Sequence, residues 1–98
     1  MTLNQDSSDD FVAWLRERLL PDCDQYESAG GVNEELAALD LTTMDVLHVL
    51  RKSGSVVGRY EGGCYVVSGP SLDDTVLSVV VAPPSSKNRV RVVKVWGN

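Results

Sequence analysis

Ninety-eight residues, 43% hydrophobic and 23% charged with a net charge of -5, are enough for one globular domain with one core, and the acidic balance argues against a general nucleic-acid binder. No apolar run approaches the roughly 20 residues of a membrane span, and the polar, acidic stretch Met1 to Asp10 is unlike a secretory leader, so a cytoplasmic protein is expected. Two cysteines, Cys23 and Cys64, and one histidine, His48, show no metal-ligand spacing, so free thiols, no metal and no cofactor are expected.

Residues 1–8 carry no apolar periodicity and read as a mobile tail. Ser8 is an N-cap candidate with Asp9 and Asp10 in the first turn, and Phe11, Trp14, Leu15 and Leu19 make one apolar helical stripe from which Arg16 and Glu17 face away. Pro21 ends that helix. Residues 21–32 show no period; Asp22, Asp24 and Glu27 lack the glycine and distal glutamate of a calcium loop, and Gly30-Gly31 marks a turn.

Asn33 is placed to cap a short segment, 34–39. Thr42 and Asp45 then form a capping-box variant for a helix that buries Val46, Leu47, Val49 and Leu50, carries Arg51 and Lys52 at its end, and stops at Gly54. Four Val-rich runs follow, 55–60, 64–68, 75–81 and 89–96, separated by Gly62-Gly63, by 69–74 and by 83–88. Short loops make consecutive strands antiparallel, and the third run, apolar on both faces, reads as central. In the last run Val90, Val92, Lys94 and Trp96 are expected on one face, with Arg89, Arg91, Val93 and Val95 on the other. The fold class is α+β: one domain, with helices over 9–54 packed on one face of a four-stranded antiparallel sheet over 55–97.

Charge divides with the architecture. Residues 1–50 hold eleven acids against Arg16 and Arg18, a net of -9, whereas residues 51–98 hold seven cations against three acids, a net of +4. Two readings are open: internal complementarity between the halves, or two surfaces for different partners. On the second, Asp9, Asp10, Glu17, Glu34, Glu35 and Asp45 form an acidic protein-binding surface. The basic half supplies Arg59, Tyr60, Tyr65, Arg89, Arg91 and Lys94, of which Arg59, Tyr60, Arg91 and Lys94 would carry a metal-independent RNA cleavage. Cations would stabilise the phosphorane and tyrosine would move a proton or stack on a base. The plainer alternative is the ordinary solvated face of a sheet. His48, without a second histidine or a cysteine nearby, reads as structural.

The order Leu41-Thr42-Thr43-Met44-Asp45-Val46-Leu47-His48-Val49-Leu50, then Val56-Val57, Tyr65-Val66-Val67-Ser68-Gly69, Leu77-Ser78-Val79-Val80-Val81 and a Val-rich run ending at Trp96, resembles the domain-of-unknown-function 4258 family. That family is similar in fold to the RelE-like toxins, with the motility quorum-sensing regulator toxin as a relative of like size. The resemblance covers residues 33–97 and implies a helix-then-sheet fold in a toxin–antitoxin, phage or mobile-element setting. Members usually carry a His-Ala and an Arg-Met on the helix before the Leu41 equivalent, and Asn33 to Leu39 has neither. The expectation is therefore a protein-binding regulator or inhibitor acting through the acidic helical half, with a RelE-like endoribonuclease as the rival.

Overall fold

The computed structural model describes residues 3–19, 26–83 and 89–97, with the backbone alone over 3–9. The chain runs α1 (Leu3–Leu19), β1 (Tyr26–Ser28), α2 (Val32–Ala38), α3 (Thr43–His48) continued by a π-helical turn (Val49–Ser53), β2 (Ser55–Tyr60), a short 3-10 turn (Glu61–Gly63), β3 (Cys64–Pro70), β4 (Val76–Val81) and β5 (Val90–Gly97). The class is α+β, as expected, with a sheet of order β1-β5-β4-β3-β2.

Strands β2 to β5 form the expected antiparallel meander, with β4 in the interior. The sheet is nevertheless five-stranded and mixed rather than four-stranded and antiparallel. Tyr26–Ser28 pairs parallel with Val90, Arg91 and Val92. Three residues are too few to show a period of two, so pairing with β5 rather than local pattern makes this segment a strand.

Helix α1 begins at Leu3, so the expected Ser8 cap is corrected and residues 3–8 of the expected tail are helical, while residues 1–2 lie outside the described residues. No glycine or proline interrupts residues 3–19, and once a helix is docked each added residue gains a hydrogen bond without a new nucleation cost. Phe11, Leu15 and Leu19 are buried and Trp14 packs beside them, as the stripe predicts. Arg16 does not face away. Its guanidinium donates to the carbonyls of Lys52 (3.1 Å) and Gly54 (3.3 Å), supplying partners at the carbonyl end of the π turn.

The cap of α2 is Gly31, at φ 93°, not Asn33. Burial of Val32 in the core draws the helix start two residues forward and leaves Asn33 exposed. The same helix ends in a Schellman arrangement: Leu41 N–H donates to Leu36 O at 2.9 Å and Asp40 N–H to Ala37 O at 3.0 Å, with Leu36 and Leu41 both in the core. Asp40 therefore occupies the left-handed position, φ 61°, where glycine is favoured. Asp40→Gly is expected to stabilise the protein by about 0.5 kcal/mol, read as a rise in the urea midpoint.

One core joins the helices to one sheet face. Val67, Leu77, Val79, Val81, Val90, Val92 and Val95 meet Phe11, Leu15, Leu36, Leu47 and Leu50 in it. The opposite face carries a smaller cluster, Cys64, Val66 and Val80, against which Val93 and Trp96 pack; the Cys64 thiol is free and buried. The Tyr60 and Trp96 rings approach to 6.1 Å although their strands are three steps apart in the sheet. Alternation on β5 departs from expectation because the ladder slips between Val80 and Val81. One extra residue reverses the phase beyond it, so Val95 joins Val90 and Val92 in the main core while Trp96 turns to the other face.

Candidate functional site

The cations singled out for RNA chemistry are dispersed by the fold. Arg59 and Tyr60 are adjacent on β2 and so point to opposite faces. Arg59 pairs with Tyr65 in the ladder, and its guanidinium lies 4.1 Å from the Tyr65 ring centroid while donating to Gly63 O (2.8 Å) and Cys64 O (3.3 Å). That ring is itself stacked on Phe11 at 3.8 Å, so Arg59 closes the hairpin onto α1. Tyr60 leans toward Trp96 on the other face.

Arg91 and Lys94 lie on β5, three inter-strand steps from β2 in the sheet order. Arg91 contacts Glu27 at 2.9 Å, and Arg89 contacts the same carboxylate at 3.7 Å. Lys94 contacts Glu35 at 3.2 Å. All these pairs are partly exposed, where each is worth roughly 0–1 kcal/mol, so their effect is placement more than stability. The charge division between halves therefore acts internally along β5: carboxylates of β1 and α2 meet the cations of the last strand. Glu35 also accepts from Val95 N–H (3.3 Å), giving a partner to a backbone group on a stretch of β5 that β1 does not reach.

The acidic candidates separate in the same way. Asp10, Glu17 and Glu34 are exposed, Glu35 is engaged as described, and the Asp9 side chain lies outside the described residues. Glu34, Glu35 and Lys94 come together in an open depression beside α2. Asp45 is buried, only 8% exposed, and is part of the frame rather than of a surface. One oxygen, Oδ2, accepts from Thr42 N–H (2.9 Å) and the Thr42 hydroxyl (3.2 Å), completing the predicted box. The other, Oδ1, accepts from Leu72 N–H at 3.2 Å and ties α3 to the turn after β3.

That turn is built by its own side chains. Asp73 accepts from the Ser71 hydroxyl (2.6 Å) and from Thr75 N–H (3.1 Å), and those bonds, Ser71's first, hold its carboxyl below the usual aspartate range. Ser71, buried, donates its N–H to Thr75 O at 2.9 Å. Leu72 is thereby held outward, 59% exposed, facing a groove whose other wall is Met44, 58% exposed. Leu47 is also in the lining, His48, Arg51 and Lys52 complete it, and the cavity is about 120 Å³. Neither Leu72 nor the groove is legible in the sequence: Leu72 sits in a loop between Pro70 and Asp73 with no periodicity around it.

Asp45→Ala is expected to cost about 2 kcal/mol, combining a lost cap with an orphaned Leu72 N–H. Urea unfolding would read the loss, and faster hydrogen exchange at the Leu72 amide would locate it; an unchanged exchange rate there would refute the link.

Elsewhere, burial pushes the Tyr26 phenol above its ordinary value, so this tyrosine gives up its proton less readily than a free one. Among the described residues no helix is long and apolar enough to cross a membrane, and no three metal-binding side chains gather. Compared with known proteins, the chain matches no family model, no curated protein and no solved structure.

Proposed function

We propose that this chain works by binding another protein, as a small regulator or inhibitor. The observation that carries the reading is the groove beside α3, where two large apolar side chains, Met44 on the helix and Leu72 on the turn, are more than half exposed. Both are positioned through Asp45, so their exposure comes with a hydrogen-bonded mount. Apolar side chains held ready at a surface lose little conformational entropy when a partner covers them.

The placement of the cations supports the same reading. RNA cleavage would require Arg59, Tyr60, Arg91 and Lys94 to converge on one phosphate, whereas Arg59 and Tyr60 point to opposite faces of β2 and three of the four are engaged by neighbours. In the toxin–antitoxin, phage or mobile-element setting that the resemblance implies, a protein that restrains another protein suits this surface better than a nuclease.

The test pairs two measurements on the full chain expressed in cells. Cross-linking followed by size exclusion is expected to return a protein partner at fixed stoichiometry, with total RNA intact after induction. Growth arrest with RNA cleavage that Arg91→Ala together with Lys94→Ala abolishes would replace this reading by the nuclease. A monomer that retains no partner would remove it.

A further inference from the structure

The groove has a chemistry that selects what can enter it. Its volume, about 120 Å³, is smaller than the roughly 150 Å³ cavity that admits benzene and far below the roughly 300–1,000 Å³ of small-molecule sites. One branched aliphatic side chain fills it. Met44 and Leu72 supply apolar walls, and methionine, unbranched and polarizable, adapts to an incoming side chain of variable shape.

Among the described residues the rim carries a single sign of charge. His48, Arg51 and Lys52 are the titratable groups among the described lining residues, and no carboxylate is among them. Among the described residues of the two walls, Asp45 is buried and Asp73 is turned into its own loop by Ser71 and Thr75, while Asp74 of the same turn is exposed but does not line the groove. Among the described residues Lys52, exposed, forms no ion pair. Arg51 and Lys52 stand in the π-helical turn, which Gly54 N–H closes onto Val49 O at 2.7 Å and which Arg16 holds from α1. A π turn within a helix is often found at a functional position.

We infer that the groove between α3 and the 71–74 turn docks a partner protein through one aliphatic side chain flanked by carboxylates. The inference rests on the protein-binding reading and adds the chemistry of the partner to it. The apolar side chain enters between Met44 and Leu72 and covers Leu47. The flanking carboxylates meet Lys52 at the rim, where a basic partner would be repelled.

Three synthetic octapeptides test this against the ¹⁵N-labelled full chain: acetyl-Gly-Ser-Glu-Glu-Leu-Glu-Ser-Gly-amide, the same with lysine for every glutamate, and the same with alanine for the leucine. The glutamate–leucine peptide is expected to shift the amides of Met44, Leu47, His48 and Leu72. The lysine and alanine versions should bind at least roughly fivefold more weakly, the size of one surface ion pair or a few buried carbons. Leu72→Ser, at an exposed position, should abolish the shifts without changing the fold, and Lys52→Glu should reverse the preference between glutamate and lysine peptides. Equal binding of all three peptides, shifts centred elsewhere, or no binding by any of them overturns the inference. If it is overturned while the cross-linked partner is still retained, the wider protein-binding reading survives with its contact on another surface; loss of any partner removes both.

Discussion

Gly69→Ala is expected to destabilise this protein by about 3 kcal/mol or more, a large share of the roughly 5–15 kcal/mol that holds a domain folded. A Cβ at this position would lie 2.6 Å from Ser53 O, 2.8 Å from Gly54 Cα and 2.9 Å from Ser53 C. All three are backbone atoms, so no side chain can rotate away. Relief would require the end of the π turn to lift off β3, putting at risk the 2.6 Å hydrogen bond from the Ser53 hydroxyl to Pro70 O. Gly54 is confined on the other side, its own added Cβ falling 2.6 Å from Val49 O and 2.7 Å from Val67 Cγ1. Two glycines in contact thus let the helical half approach the sheet closely. Gly58→Ala is the control, since nothing lies within 4 Å of its added carbon. The two variants, compared by urea unfolding, should differ by at least about 2 kcal/mol; a mild Gly69→Ala would mean that the close approach is not needed.

Leu77→Ala is the second large effect. Leu77 is fully buried at the start of β4, between β3 and β5 and in the cluster shared with the helices. Removing most of its side chain leaves a cavity that flanking strands cannot close, at a cost of about 3 kcal/mol. Its neighbour Val76 points the other way and is 42% exposed, so Val76→Ala should stay within about 0.5 kcal/mol. The pair reads the face assignment directly: equal losses at the two positions would mean that the helices do not lie on the Leu77 side.

The last two strands, whose faces the sequence assigns by alternation, behave differently, and the contrast is instructive. On β4 regular alternation holds from Leu77 to Val81, and the expected central strand is found. On β5 alternation fails at Val93, because a bulge depends on the register of the neighbouring strand, which no run of Val, Arg and Lys records. Gly54 shows a related limit. It ends the helical segment where expected, yet with φ at -87° the left-handed freedom of glycine is not what the position uses; the room it leaves for Val67 and Gly69 is.

Charge and surface follow the same division. That acids precede cations along the chain is plain in the sequence; that Glu27 and Glu35 reach Arg91 and Lys94, sixty or so positions away, depends on β1 and α2 flanking the last strand. The candidate site shifts accordingly. Asp45, expected on an acidic surface, is the buried clamp behind a groove, and the groove itself pairs residues from α3 with Leu72 from a distant turn.

Helical stripes at Phe11, Leu15 and Leu19, the Thr42–Asp45 box and the four Val-rich runs could be read from the chain alone, because each depends on neighbours within a turn or two residues of backbone. The third dimension alone decided β1, the reversed phase of β5, the partners of every cation on that strand and the groove beside α3. Those features arise from contacts between segments far apart in sequence, whose free energy exists only once both segments are in place.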